Sequence, residues 1–134
     1  MSSKKEFLNE LVRANDLNTD EDVFSKELGG RKMAFITRTG IEKIQYQNNI
    51  TVKFDWISMS KDYACIKATA TMGDVVIETF GSAWHGQGGN CMSNYVAEMA
   101  EKRGLARSVL KAVGAGKYGV YGEDESDDFK IKGA

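Results

Sequence analysis

Residues 94–115, NYVAEMAEKRGLARSVLKAVGA, are the longest stretch of this chain that reads as one amphipathic helix. They contain no proline, are rich in good helix formers and end on Gly114. Placed at about 100° per residue, Tyr95, Met99, Ala106, Val109, Leu110 and Val113 fall on one apolar arc. Beside it runs a stripe of Arg103, Arg107 and Lys111, spaced i, i+4, i+8, with the small residues Ala100 and Gly104 along it. One flank therefore calls for a core, and the other offers three positive charges to a polyanion. Cationic stripes are ordinarily solvated faces, and Glu98 with Lys102 makes an i, i+4 pair suited to an exposed helix. Two features favour more than that. The stripe carries no carboxylate of its own, and Gly104 costs about 1 kcal/mol of helix propensity that a solvated face gives no reason to accept.

Immediately upstream, three strand patterns lead into this helix. Ile50, Val52, Phe54 and Trp56 alternate with Thr51, Lys53 and Asp55. Residues 63–72 follow, with Ala64, Ile66, Ala68, Ala70 and Met72 on one face; Met72-Gly73-Asp74 turns the chain, and residues 75–83 form the third strand. The short links predict an antiparallel meander. Lys53 and Lys67 point away from the apolar face and fall on one exposed surface. Between meander and helix, WHGQGGNCMS (residues 84–93) reads as a mobile or ligand-ordered glycine loop.

Nearer the N-terminus, residues 3–14 predict a short amphipathic helix through Phe7, Leu8, Leu11 and Val12. Residues 15–30 read as an irregular acidic connection with at most one helical turn, at residues 22–28. Residues 33–37 read as a short strand, and Thr39 as the cap of a helix over residues 40–47. After the long helix, Gly114, Gly116, Gly119 and Gly122 interleave with Tyr118 and Tyr121. The fold class is α+β: a three-stranded antiparallel meander packed against one long C-terminal helix, with short N-terminal helices. Residues 1–122 are expected to form a single domain, followed by an acidic, disordered tail at 123–134.

The 134 residues are 42% hydrophobic and 28% charged, ordinary for a globular protein. The net charge of −1 is unevenly placed. Of 18 basic and 19 acidic side chains, two and five lie in residues 123–134; that leaves 16 and 14 in the body, a net of +2 against −3 for the tail. The first twenty residues lack an apolar signal region, and no apolar run approaches membrane-spanning length, so a cytoplasmic, bacterial or infected-cell setting is expected. Two cysteines and one histidine are too few for a structural zinc site or a disulfide framework. His85 and Cys91 share the glycine loop, but no residue is spaced to orient His85 for catalysis. No GxxxxGK[ST] phosphate loop occurs, and paired carboxylates are concentrated in the tail. The expectation is no enzyme activity, no cofactor and no metal.

What remains is a set of cations and flat rings: Arg103, Arg107, Lys111, Lys53, Lys67 and Arg38, with Trp84, Tyr118 and Tyr121 as stacking surfaces. A positive groove with aromatic platforms is what single-stranded nucleic acid requires. The order of elements also resembles a known group. A β-meander followed by Ala100-Glu101-Lys102-Arg103, Ala106-Arg107 and Lys111-Ala112-Val113-Gly114, preceded by ITRTGIEKI (residues 36–44), is similar to the phage single-strand annealing recombinases. That superfamily includes Erf, Redβ and the eukaryotic annealing recombinase, and the resemblance spans residues 33–116. It implies ATP-independent binding and annealing of single-stranded DNA, in recombination or replication, by an oligomeric ring or filament. DNA would lie between sheet and helix, with Arg103, Arg107 and Lys111 on phosphates. The alternative is an assembly module in which the same stripe binds an acidic surface of a neighbouring subunit. The tail at residues 123–128 is one candidate for that surface, and equally for binding a protein partner.

Overall fold

The computed structural model describes the backbone of residues 3–28, 31–86, 89–90, 95–115 and 120–122. The part of the glycine loop around Gly88 and Cys91, the ring of Tyr118 and the tail at 123–134 lie outside the described residues. Among the described residues nine elements follow in order: α1 (Ser3–Ala14), β1 (Val23–Leu28), β2 (Arg31–Ile36), α2 (Arg38–Gln47), β3 (Thr51–Met59), β4 (Tyr63–Met72), β5 (Val75–Trp84), α3 (Val96–Ala112) and β6 (Val120–Gly122). The architecture is α+β, with the long C-terminal helix α3 packed on strands, as the sequence predicts. None of the described helices is long and apolar enough to cross a membrane.

The meander β3–β4–β5 is antiparallel throughout. Its β4–β5 turn is the two residues Gly73 and Asp74, with Gly73 at φ +60°, a left-handed conformation that glycine adopts without a Cβ penalty. That turn pairs Met72 with Val75 and so fixes every pair beyond it, through to Tyr63 with Trp84. The face holding Ala64, Ile66, Ala68 and Ala70 is fully buried against α3. Small residues there let helix and sheet approach closely. A Cβ built on Gly81 would lie 2.2 Å from the Ala100 carbonyl oxygen and 2.5 Å from the Gly104 nitrogen. Gly104 in turn faces Ala68 and Ile66, each 3.3 Å from the position of an added Cβ.

The reading of residues 15–30 as irregular is corrected. Val23–Leu28 and Arg31–Ile36 form an antiparallel hairpin, and β6 adds to β2 in parallel, pairing Ala34 with Val120 and Ile36 with Gly122. The fold therefore holds a second three-stranded sheet, β1–β2–β6, besides the meander. The hairpin escaped sequence reading because VFSKEL has only a weak alternation, and its stability comes from partners distant in sequence. Phe24 stacks on the fully buried Phe35 at 5.4 Å, and Phe35 touches Tyr121 at 6.3 Å.

α3 serves both sheets. Gly104 meets the meander, while Ala106 meets β6, where a Cβ on Gly122 would come within 2.6 Å of the Ala106 Cβ. Positions two apart on a helix point about 200° apart, so the two contacts lie on opposite flanks. The larger core gathers Leu11, Ile36, Ile41, Ile44, Ile50, Val109, Leu110 and Val120 on one side of α3; Ala64, Ile66, Ala83, Val96 and Ala100 form a smaller one against the meander. α2 begins two residues earlier than the sequence suggests. Its cap is Thr37, whose Oγ1 accepts from the Gly40 amide at 3.3 Å, rather than Thr39.

Candidate nucleic-acid interface

The expectation of three free cations along α3 does not survive. Arg103 is only 2% exposed. Its guanidinium donates to the Ser82 carbonyl at 2.8 Å and the Asn90 carbonyl at 2.7 Å, so it clamps the helix to the end of β5. Arg107 donates to the Phe80 carbonyl at 2.8 Å. Ala100 and Gly104 are small because the sheet presses against them, and the cost of Gly104 is explained by packing, not by access for a ligand. Lys111, in the last turn, stays exposed. The predicted apolar arc is corrected as well, since Tyr95 is exposed and Met99 only half-buried, while Ala106, Val109 and Leu110 are buried.

The two arginines have a different consequence. β5 is the edge strand on one side of the meander, and alternate residues turn their backbone groups outward. Phe80 and Ser82 are such residues, and arginines hold their carbonyls. Asn90 completes the cover: its Oδ1 accepts from the Trp84 amide at 2.9 Å, and its own amide donates to the Trp84 carbonyl at 3.1 Å. Charge and side-chain cover of this kind blunts an edge against strand addition.

The remaining candidates separate cleanly. Lys53, Lys67 and Trp84 share the open face of the meander, opposite α3, as the alternation of the strands predicts for the two lysines, with Lys53 and Trp84 toward opposite ends of it. Register places Lys53 beside Thr69, Lys67 between Asp55 and Phe80, and Tyr63 beside Trp84. Tyr63 and Phe80 are members of this face that sequence reading missed. The signal was present: once the Gly73–Asp74 turn fixes register, Phe80 must lie opposite Lys67 and Tyr63 opposite Trp84. Three rings are thus accessible on one surface, with Phe80 50%, Trp84 38% and Tyr63 36% exposed. The Tyr63 and Trp84 rings are tilted against one another at 6.5 Å. A hydrogen bond with the neighbouring Cys65 thiol raises the Tyr63 hydroxyl above its ordinary value.

The open face is electrically balanced. Lys53 and Lys67 stand against Asp55 and Glu78, and Lys67 approaches Glu78 at 3.6 Å. Arg38 is elsewhere, at the start of α2, with Nε 3.4 Å from Glu42. Tyr121 is half-buried on β6 beside Phe35 and takes no part in this surface. Among the described residues no cluster of three metal-ligating side chains occurs. No protein-family model, curated protein or solved structure matches this chain.

Proposed function

We propose that this protein binds single-stranded nucleic acid on the open face of the β3–β4–β5 meander and, as an oligomer, promotes annealing of complementary DNA strands without ATP. The observation that carries the reading is the grouping of Tyr63, Phe80 and Trp84, all accessible, with Lys53 and Lys67 on one surface. Exposed rings on a sheet offer π-faces to unstacked bases whatever their sequence, and lysines beside them reach the linking phosphates. The resemblance of residues 33–116 to phage annealing recombinases supports the annealing step and DNA as the substrate.

This placement differs from the helix stripe in a measurable way. Two lysines on a balanced face neutralise at most two phosphates, which corresponds to a salt slope of about −1.4 for single strands. Stacking then carries most of the affinity. Fluorescence anisotropy with a labelled oligonucleotide, titrated at several salt concentrations, tests this. Wild type is expected to bind with that shallow slope, and Trp84→Ala and Phe80→Ala each to bind about 5- to 150-fold more weakly, as loss of one stacked base implies. Unchanged affinity in both variants, or no binding by wild type, overturns the proposal.

A second reading, a structural or assembly module, has its own support. Trp56, Ile57 and Met59 are exposed along β3, more apolar surface than a solvated edge strand ordinarily carries. Of the three cations through which the sequence routes that module, Arg103 and Arg107 hold β5 carbonyls and Lys111 remains exposed.

A further inference from the structure

The meander has two edges, and they are treated differently. The β5 edge is covered by Arg103, Arg107 and Asn90. The β3 edge pairs with no strand among the described residues. It is also poorly covered from the side, because α3 lies over β4 and β5, leaving Phe54 half-buried and Trp56 44% exposed on the helix-side face. An uncovered strand edge is a template for another strand.

We propose that the partner is a second copy of this chain, paired antiparallel through β3 about a two-fold axis at Phe54. The sequence of the strand carries its own complement. About Phe54, Lys53 of one copy lies opposite Asp55 of the other, and Asp55 opposite Lys53, both on the open face. Val52 pairs with Trp56, and Phe54 with Phe54, on the helix side. Moving the axis by one residue ruins this: centred on residue 53 it opposes two lysines, and centred on residue 55 two aspartates. Axes between residues place the open face of one copy beside the helix side of the other. Like charges directly opposite destabilise a strand pair, so the charges favour Phe54 over both neighbouring registers.

The bulge agrees with the same centre. The β3–β4 ladder shifts between Trp56 and Ser58. Regular pairing on the outer edge therefore runs from Val52 to Trp56, five residues symmetric about Phe54. The product is a six-stranded sheet whose two open faces are continuous, doubling the row of Tyr63, Phe80 and Trp84. A strand pair of this length covers less than the roughly 1,600 Å² of a standard interface, so association belongs at micromolar concentration. The contact gives the proposed oligomer a unit, yet it forms whether or not nucleic acid binds.

Sedimentation velocity on the full chain, without nucleic acid, from about 1 to 500 μM, tests the pairing. Wild type is expected to pass from monomer to dimer in that range. Lys53→Asp and Asp55→Lys each place like charges opposite one another twice, and each alone should weaken the dimer at least about tenfold. Mixed together they should dimerise again, because one chain then presents two carboxylates and the other two ammoniums. Both residues are exposed, and circular dichroism verifies that the variants fold. A wild type that stays monomeric, single variants that dimerise like wild type, or a mixture that fails to associate would each overturn the proposal. Its failure leaves anisotropy with Trp84→Ala unaffected, so the two readings fall separately.

Discussion

Gly81 is the position where one added carbon has the largest worked consequence. In Gly81→Ala the new Cβ lies 2.2 Å from the Ala100 carbonyl oxygen and 2.5 Å from the Gly104 nitrogen, both backbone atoms that no rotamer change can move aside. A carbon and a carbonyl oxygen are comfortable from about 3.3 Å, so β5 and α3 must part by about 1 Å. The helix has nowhere to go. On its far flank, Ala106 already touches Gly122, and any displacement there disturbs the second sheet. Overpacking of a full core costs roughly 1–3 kcal/mol, and a backbone clash held on both sides belongs at the top of that range. Relief of glycine's conformational entropy offsets about 0.5–1 kcal/mol, leaving a net loss of about 2–2.5 kcal/mol. For a chain of this size that is a fall in Tm of about 10 °C. Urea unfolding followed by circular dichroism measures it as a lowered midpoint with unchanged slope. Gly104→Ala is the control: its Cβ meets only side-chain carbons at 3.3 Å, and helix propensity returns about 1 kcal/mol, so its stability should stay within about 1 kcal/mol of wild type. A Gly81→Ala protein as stable as wild type, or Gly104→Ala the worse of the two, would refute the close approach of α3 to the meander.

Arg103→Ala removes a buried guanidinium and its bonds to two carbonyls, leaving that of Ser82 only a long contact from the Asn90 side-chain amide at 3.4 Å. A loss of about 2–4 kcal/mol is expected in thermal unfolding, with Arg103→Lys recovering only part of it. The Asp22–Lys43 pair governs the acid limb of stability. Burial by itself would raise the Asp22 carboxyl, but the Asn18 amide at 2.8 Å and the Lys43 ammonium at 2.7 Å outweigh it and hold the group below its ordinary value. A depressed carboxyl stabilises the fold above its unfolded pKa of about 3.9, and that contribution disappears as pH falls through the lower folded value. Asp22→Asn should therefore cost about 1–3 kcal/mol near neutrality and flatten stability against pH below 4. Lys43, raised chiefly by its bond to Asp22, adds stability that fades only as pH climbs past the ordinary lysine range. Thr37→Ala should lose about 1 kcal/mol by removing the α2 cap, whereas the exposed Thr39→Ala should change stability by less than about 0.5 kcal/mol.

The boundary between what was legible and what was not follows from the range of the interactions. β4 could be read residue for residue as 63–72, because its alanines alternate with polar residues and a two-residue glycine turn ends it. α1 was equally plain, since its apolar residues repeat at helical spacing and it shows one face to the core. The β1–β2–β6 sheet was hidden because β6 joins β2 from some eighty residues away, a pairing no local pattern encodes.

By itself, then, the sequence determined the local periods: a meander whose lysines share an outer face, a long helix after it, and an α+β class. Only the tertiary structure decided what the long helix's residues do. A helical wheel assumes one buried side, yet α3 has a sheet on each flank, so Arg103 is enclosed and bonded to carbonyls that come from a different strand. Burial is a property of what packs on a residue, and for Arg103, Gly104 and Ala106 those neighbours lie far away along the chain.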